Sequence, residues 1–190
     1  MTACRSLLLA FLAALVAGCA TPVETRHFLL VPVETATAGG RQPELLVGPV
    51  LLPDYLLRTE LARRVGEQGL QYSRGRRWAE PLDSGIQRVT MANLGAVLDT
   101  TRVERFPGPV PRRGAYRVAL TVHRFEAEGQ AVVAAIDWQL LRGISGDILE
   151  EGAFSRRRAV AGDDATAVAA GLSELLGALA REIGAAVPAD

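Results

Sequence analysis

The sequence contains no lysine; all 21 of its basic residues are arginine. That removes Schiff-base chemistry and any phosphate-loop lysine. Only two cysteines, Cys4 and Cys19, and two histidines, His27 and His123, occur in 190 residues. A zinc site takes more ligands of the right kind, and the two histidines read as ordinary solvent-side positions in separate strands. An excess of charge is missing too, because 21 acidic residues balance the basic ones, whereas a nucleic-acid binder carries a basic surplus. G-x-S-x-G, H-E-x-x-H, G-x-G-x-x-G and P-loop patterns are all missing. The carboxylates are scattered through turns and helix starts, and nothing in that pattern supports a glycosidase pair. Beyond Cys19 there is no apolar run near the ~20 residues that a membrane span requires. The sequence is not poor in hydrophobic residues, however. They make up 49% of it, enough to exclude wholesale disorder and to fill the core of one domain.

The first 19 residues read as an address. Arg5 supplies positive charge, Leu7 to Val16 is a short uncharged apolar run, and the small residues Ala17 and Gly18 precede Cys19. Charge, short apolar core and small-residue cleavage site are the order of a secretory signal. Val16-Ala17-Gly18-Cys19 resembles the lipobox of bacterial lipoproteins. The resemblance implies cleavage between Gly18 and Cys19 and attachment of acyl chains to Cys19. Residues 1–18 are then the signal, 19–25 a lipidated tether and 26–190 the domain. Two or more chains hold a protein stably on a membrane, whereas one is marginal. Cleavage leaves no thiol in the domain, hence no disulfide and no cysteine nucleophile. Ala20, not Asp, follows the cysteine, which by the same resemblance directs the protein to the periplasmic face of the outer membrane.

Periodicity outlines the domain. Arg26 to Val31 reads as a first strand stopped by Pro32. Leu45 to Leu52 reads as a second, with Pro49 marking an edge position or a bulge. Pro53-Asp54 makes a turn, Tyr55 to Val65 fits helix or strand, and Gln71 to Ser73 fits a short strand. Pro81 suits the first position of a helix, and Leu82, Ile86, Val89, Ala96 and Val97 give it one apolar face, interrupted by Asn93. The predicted helix spans Leu82 to Leu98. Trp78 just ahead of it reads as a core plug. Strands at Tyr116–Val122, Val132–Leu140 and Leu149–Arg157 alternate apolar with polar residues, and short links make them an antiparallel meander. Phe125 breaks the alternation, which places a bulge near Arg124. Asp163 or Asp164 can cap a last helix. Its stripe is Val168, Leu172, Leu175, Leu176, Leu179, Ile183 and Val187, with Ser173, Glu174, Arg181 and Glu182 off it. The expected fold is α+β, a single domain with a mainly antiparallel sheet and two amphipathic helices packed on one face. Arg156-Arg157-Arg158 reads as a solvated strand edge.

Three segments carry a family resemblance. Phe28-Leu29-Leu30 follows the cysteine closely, Leu52-Pro53-Asp54-Tyr55-Leu56-Leu57-Arg58 comes next, and Arg77-Trp78-Ala79-Glu80-Pro81-Leu82 leads to Asn93-Leu94. In order and spacing they resemble the PqiC-like auxiliary lipoproteins of ABC-type and MCE-type transport systems. That resemblance implies an outer-membrane-anchored, non-catalytic docking subunit without a cofactor. Its partners would be a periplasm-spanning MCE-domain protein or ABC transporter subunits, and self-assembly around a tunnel mouth stays open. It assigns structural roles to Pro53, Trp78, Pro81 and Leu82. The apolar turn suggests Tyr55, Leu56 and Arg58 as partner contacts, because interfaces are enriched in Tyr and Arg. Completion of the core by Tyr55 and Leu56 is the alternative. A structural lipoprotein of another outer-membrane assembly and a lipid-anchored hydrolase are the rival functions.

Overall fold

The computed structural model describes residues 24–36, 43–108, 114–143, 145–162 and 164–188. The signal, Gly18 and Cys19 lie outside these residues. One eight-stranded sheet is backed by two helices. Its long part is the meander of β6 (Tyr116–Glu128), β7 (Ala131–Arg142) and β8 (Ile148–Ala159), paired antiparallel throughout. Apolar-in, polar-out alternation builds these strands, and a register shift between Val122 and Arg124 confirms the bulge that Phe125 announces.

The other edge of β6 is shared. β2 (Leu45–Leu51) runs parallel to its first half and β3 (Glu60–Val65) parallel to its end. β5 (Val103–Arg105) extends the sheet beyond β2. β4 (Gly69–Trp78) pairs antiparallel with β3, and β1 (Arg26–Phe28) closes that side. The strand pairings of β6, β7 and β8 keep the sheet mainly antiparallel. Its parallel joins come from short strands laid against a long one. Pro49 sits at a shift in the β2–β6 register, so the bulge reading holds and the edge reading does not. Gly48 beside it is required. Its φ is +129°, and a Cβ there would lie 2.2 Å from the Phe106 carbonyl oxygen.

α1 (Leu82–Val97) and α2 (Ala165–Ala186) pack against the same face. Pro81 is the cap preceding α1 rather than its first residue. Trp78 and Leu82 are buried, as are all seven stripe residues of α2. Glycines on α2 permit close approach: a Cβ on Gly184 would meet Val97 of α1 at 2.7 Å.

Three expectations change. β1 ends at Phe28, because from Leu29 the chain leaves the sheet and crosses the helices as a strap. Buried side chains hold the strap. Ser173 Oγ accepts from the Val31 amide at 3.0 Å, and Asn93 Oδ1 accepts from the Val33 and Glu34 amides at 3.0 and 3.1 Å. Ser173 is therefore fully buried, not off the stripe, and Asn93 belongs to the packed face it interrupts. The ambiguous stretch after Asp54 resolves into a single 3-10 turn, Asp54–Leu56, followed by β3.

Candidate functional site

The 3-10 turn fills the gap between β2 and β3, opposite the β6 bulge. A bulge leaves ladder groups unpaired, and Tyr55 satisfies one of them: its hydroxyl lies 3.0 Å from the His123 carbonyl oxygen. The same hydroxyl is 2.6 Å from Glu126 Oε2. Glu126, only 1% exposed, also accepts from Arg64 Nε at 2.7 Å and Arg124 Nε at 3.0 Å. Arg124 reaches on to Glu128, which Arg157 holds at 2.6 Å. A buried carboxylate is stable only with such partners. Burial alone pushes the Glu126 carboxyl upward, but the hydrogen bonds from Tyr55, Arg64 and Arg124 outweigh it and hold it below the usual carboxylate range. Burial and the neighbouring carboxylate push the Tyr55 hydroxyl well above its ordinary value. The bond with Glu126 raises Arg64 in turn.

This hub favours the core alternative for the turn: Tyr55 bonds its hydroxyl inside the molecule, and Leu56, 3% exposed, belongs to the core. Leu57 and Arg58 face outward instead. Leu57 is 63% exposed, and the Arg58 guanidinium stacks 4.8 Å above the Tyr72 ring. Tyr72 donates its hydroxyl to the Tyr55 carbonyl at 3.1 Å, so the ring that supports Arg58 is itself fixed to the turn.

The two sequence segments then meet. The Trp78 amide donates to the Thr59 carbonyl at 2.7 Å and the Ala79 amide to that of Phe28 at 2.9 Å. A cleft of about 230 Å³ opens between them, walled by Leu57, Arg58 and Thr59 on one side and Trp78 to Asp83 on the other. Glu80 in its wall is held by Arg88 at 2.6 Å, and Arg88 also donates to the Leu30 carbonyl. Pro53 and Pro81 set the two chain turns that form the cleft, while Trp78 and Leu82 form its buried floor. Sequence reasoning singled out both segments but did not bring them together, since their contact runs through β3–β4 pairing. Leu57 belongs to the apolar turn that the sequence singles out, and the structure adds it to Arg58 as an outward-facing side chain.

His27 is exposed, and His123 pairs with Asp137 at 2.7 Å on the open sheet face. Among the described residues no group of three or more His, Cys, Asp or Glu is placed to hold a metal ion. No helix among them is long and apolar enough to cross a membrane.

The geometry is an α+β scaffold with an open cleft whose rim carries Leu57 and Arg58. The chain belongs to the family of ABC-type transport auxiliary lipoprotein components, which it matches over residues 28–184. No protein of curated description matches it. Two crystal structures share the fold. One, of an uncharacterised protein, superposes with a TM-score of 0.72 at 19% identity, covering 87% of this chain and 99% of that one. The other, from Xanthomonas campestris, has a TM-score of 0.71 at 18% identity, covering 84% of this chain and 93% of that one.

Proposed function

We propose that this protein is a non-catalytic docking subunit, lipid-anchored through Cys19 on the periplasmic face of the outer membrane. Its partner is an MCE-type or ABC-type assembly that moves lipid between the two membranes. The carrying observation is the convergence of Leu57-Arg58 with the Trp78–Asp83 segment on one exposed cleft. Family membership supports the transport setting. An exposed leucine beside an arginine held by an aromatic ring has the character of an interface anchor, a few of which supply most binding energy. The hub beneath keeps the turn in one conformation, so little ordering cost falls on binding.

Substituting Leu57→Ala with Arg58→Ala tests the assignment. Both side chains are exposed, so the melting temperature should stay within a few degrees of wild type. Co-purification with the transporter subunits that the wild-type protein captures should fall at least tenfold. Undiminished co-purification from a folded double variant would remove the cleft as the docking site.

A further inference from the structure

The geometry points to a second membrane attachment: the outer edge formed by β1 and the bulge of β4 docks on anionic phospholipid headgroups. This inference rests on the lipid anchor proposed above. β4 pairs Tyr72 with Ala62 and Arg77 with Glu60, so extra residues bulge out between Tyr72 and Arg77. Gly75 at the centre has a φ of +68°. The bulge presents Arg74 and Arg76 to solvent, and Arg26, also exposed, is the register partner of Arg76. Like charges opposite one another in a sheet repel. Arg77 is held by Glu60 at 3.2 Å, yet Arg26, Arg74 and Arg76 have no carboxylate partner among the described residues. Glu24 is one negative charge beside three positive ones.

The opposite edge behaves differently. On β8, Arg156 pairs with Glu182, Arg157 with Glu128 and Arg158 with Glu174. Three arginines are neutralised there, and three are left open on the edge nearest the anchor. Apolar groups accompany the open ones. Leu29 and Val31, each 50% exposed, follow β1 directly. Basic side chains beside exposed apolar ones suit the headgroup boundary of a bilayer. Arg26 follows Cys19 by seven residues, at most about 25 Å of extended chain. The tether thus keeps this edge within about 25 Å of the membrane surface.

The mature chain from residue 19 with Cys19→Ser contains every described element and the whole core from Leu30 to Val187, so it tests the edge without the anchor. It should float with vesicles of phosphatidylglycerol and not of phosphatidylcholine, and should come off near 1 M salt, where the Debye length is about 3 Å. Arg26→Gln, Arg74→Gln and Arg76→Gln together should weaken binding about a hundredfold with an unchanged melt. Equal binding to both lipids, or a triple variant that binds like its parent, overturns the inference. A triple variant that keeps vesicle binding but loses its protein partner overturns it as well and assigns the edge to that partner. Fatty-acid labelling of the wild-type chain separates the two readings. Labelling without vesicle binding by the Cys19→Ser chain sinks the edge alone. Vesicle binding without labelling sinks the anchor alone.

Discussion

Glu126 shows how much one side chain can organise. It sits just past the bulge of β6, where the shifted register turns Phe125 and Ala127 into the core, and Glu126 on the other face is buried by Tyr55, Arg64 and Arg124. From the sequence the bulge was legible through Phe125. Its consequence was not, because the partners Tyr55 and Arg64 lie 71 and 62 residues away in the chain. The pH dependence follows from the direction of the shift. A carboxyl held below its ordinary value contributes stability at neutral pH, and that contribution is lost as the pH falls below about 4.3 toward the folded-state value. Glu126→Gln keeps the shape and removes the charge. It should cost about 1.5–3 kcal/mol at pH 7, the range for hydrogen bonds to charged groups. The difference from wild type should be smaller at pH 3, below the ordinary glutamate value, because part of the contribution of the charged form is lost there. Urea denaturation midpoints at the two pH values measure this, and an equal gap at both would mean that the charge on Glu126 is immaterial.

Among elements, the two helices and the meander were legible because each repeats its pattern over three or more turns or pairs. β1, β3 and β4 were legible only in part: β1 was read too long, β3 stayed undecided between helix and strand, and only Gln71 to Ser73 of β4 was read, because its bulge breaks the alternation. The strap after β1 reads as strand because Phe28-Leu29-Leu30-Val31 continues it as an unbroken apolar run up to Pro32. What distinguishes it is where its amides bond, and the donors' partners lie on the helices. A polar residue on an apolar helical stripe has a signal of its own: buried polar atoms are almost always paired, so Asn93 on that face implies a backbone to hold. Gln87 illustrates the same rule one turn and a half earlier, donating to the Val47 and Phe106 carbonyls at 2.7 and 2.9 Å. Asn93→Ala strands the Val33 and Glu34 amides and should cost about 1–3 kcal/mol. Amide exchange should accelerate at Val33 and Glu34 well before the sheet. Uniform exchange across the molecule would show instead that the strap and core open as one unit.

At the scale of the whole molecule, the sheet is a meander onto which the first half of the chain has been added piecewise. β2 and β3 share one edge of β6 because a single turn, Asp54–Leu56, carries the chain across the bulge between them. Parallel joins of this kind depend on residues far apart in sequence, which leaves no local pattern to detect. They also explain why the strap, the cleft and the basic edge lie at one side: β1 and β4 end where the turn and α1 begin. A tether entering at β1 therefore delivers the cleft to the membrane together with the domain. The anchor is the premise of that arrangement, and Cys19 is where it can be broken. Cys19→Ser should abolish incorporation of a clickable fatty acid and release the protein from the tight membrane fraction, because no other thiol follows it in the chain. Multiple acyl chains bind far more strongly than a basic edge alone. High salt should therefore strip the variant from anionic membranes while leaving wild type in place. Equal label on both chains would place the lipid elsewhere or nowhere, and the domain would then have to reach its partner by protein contacts alone.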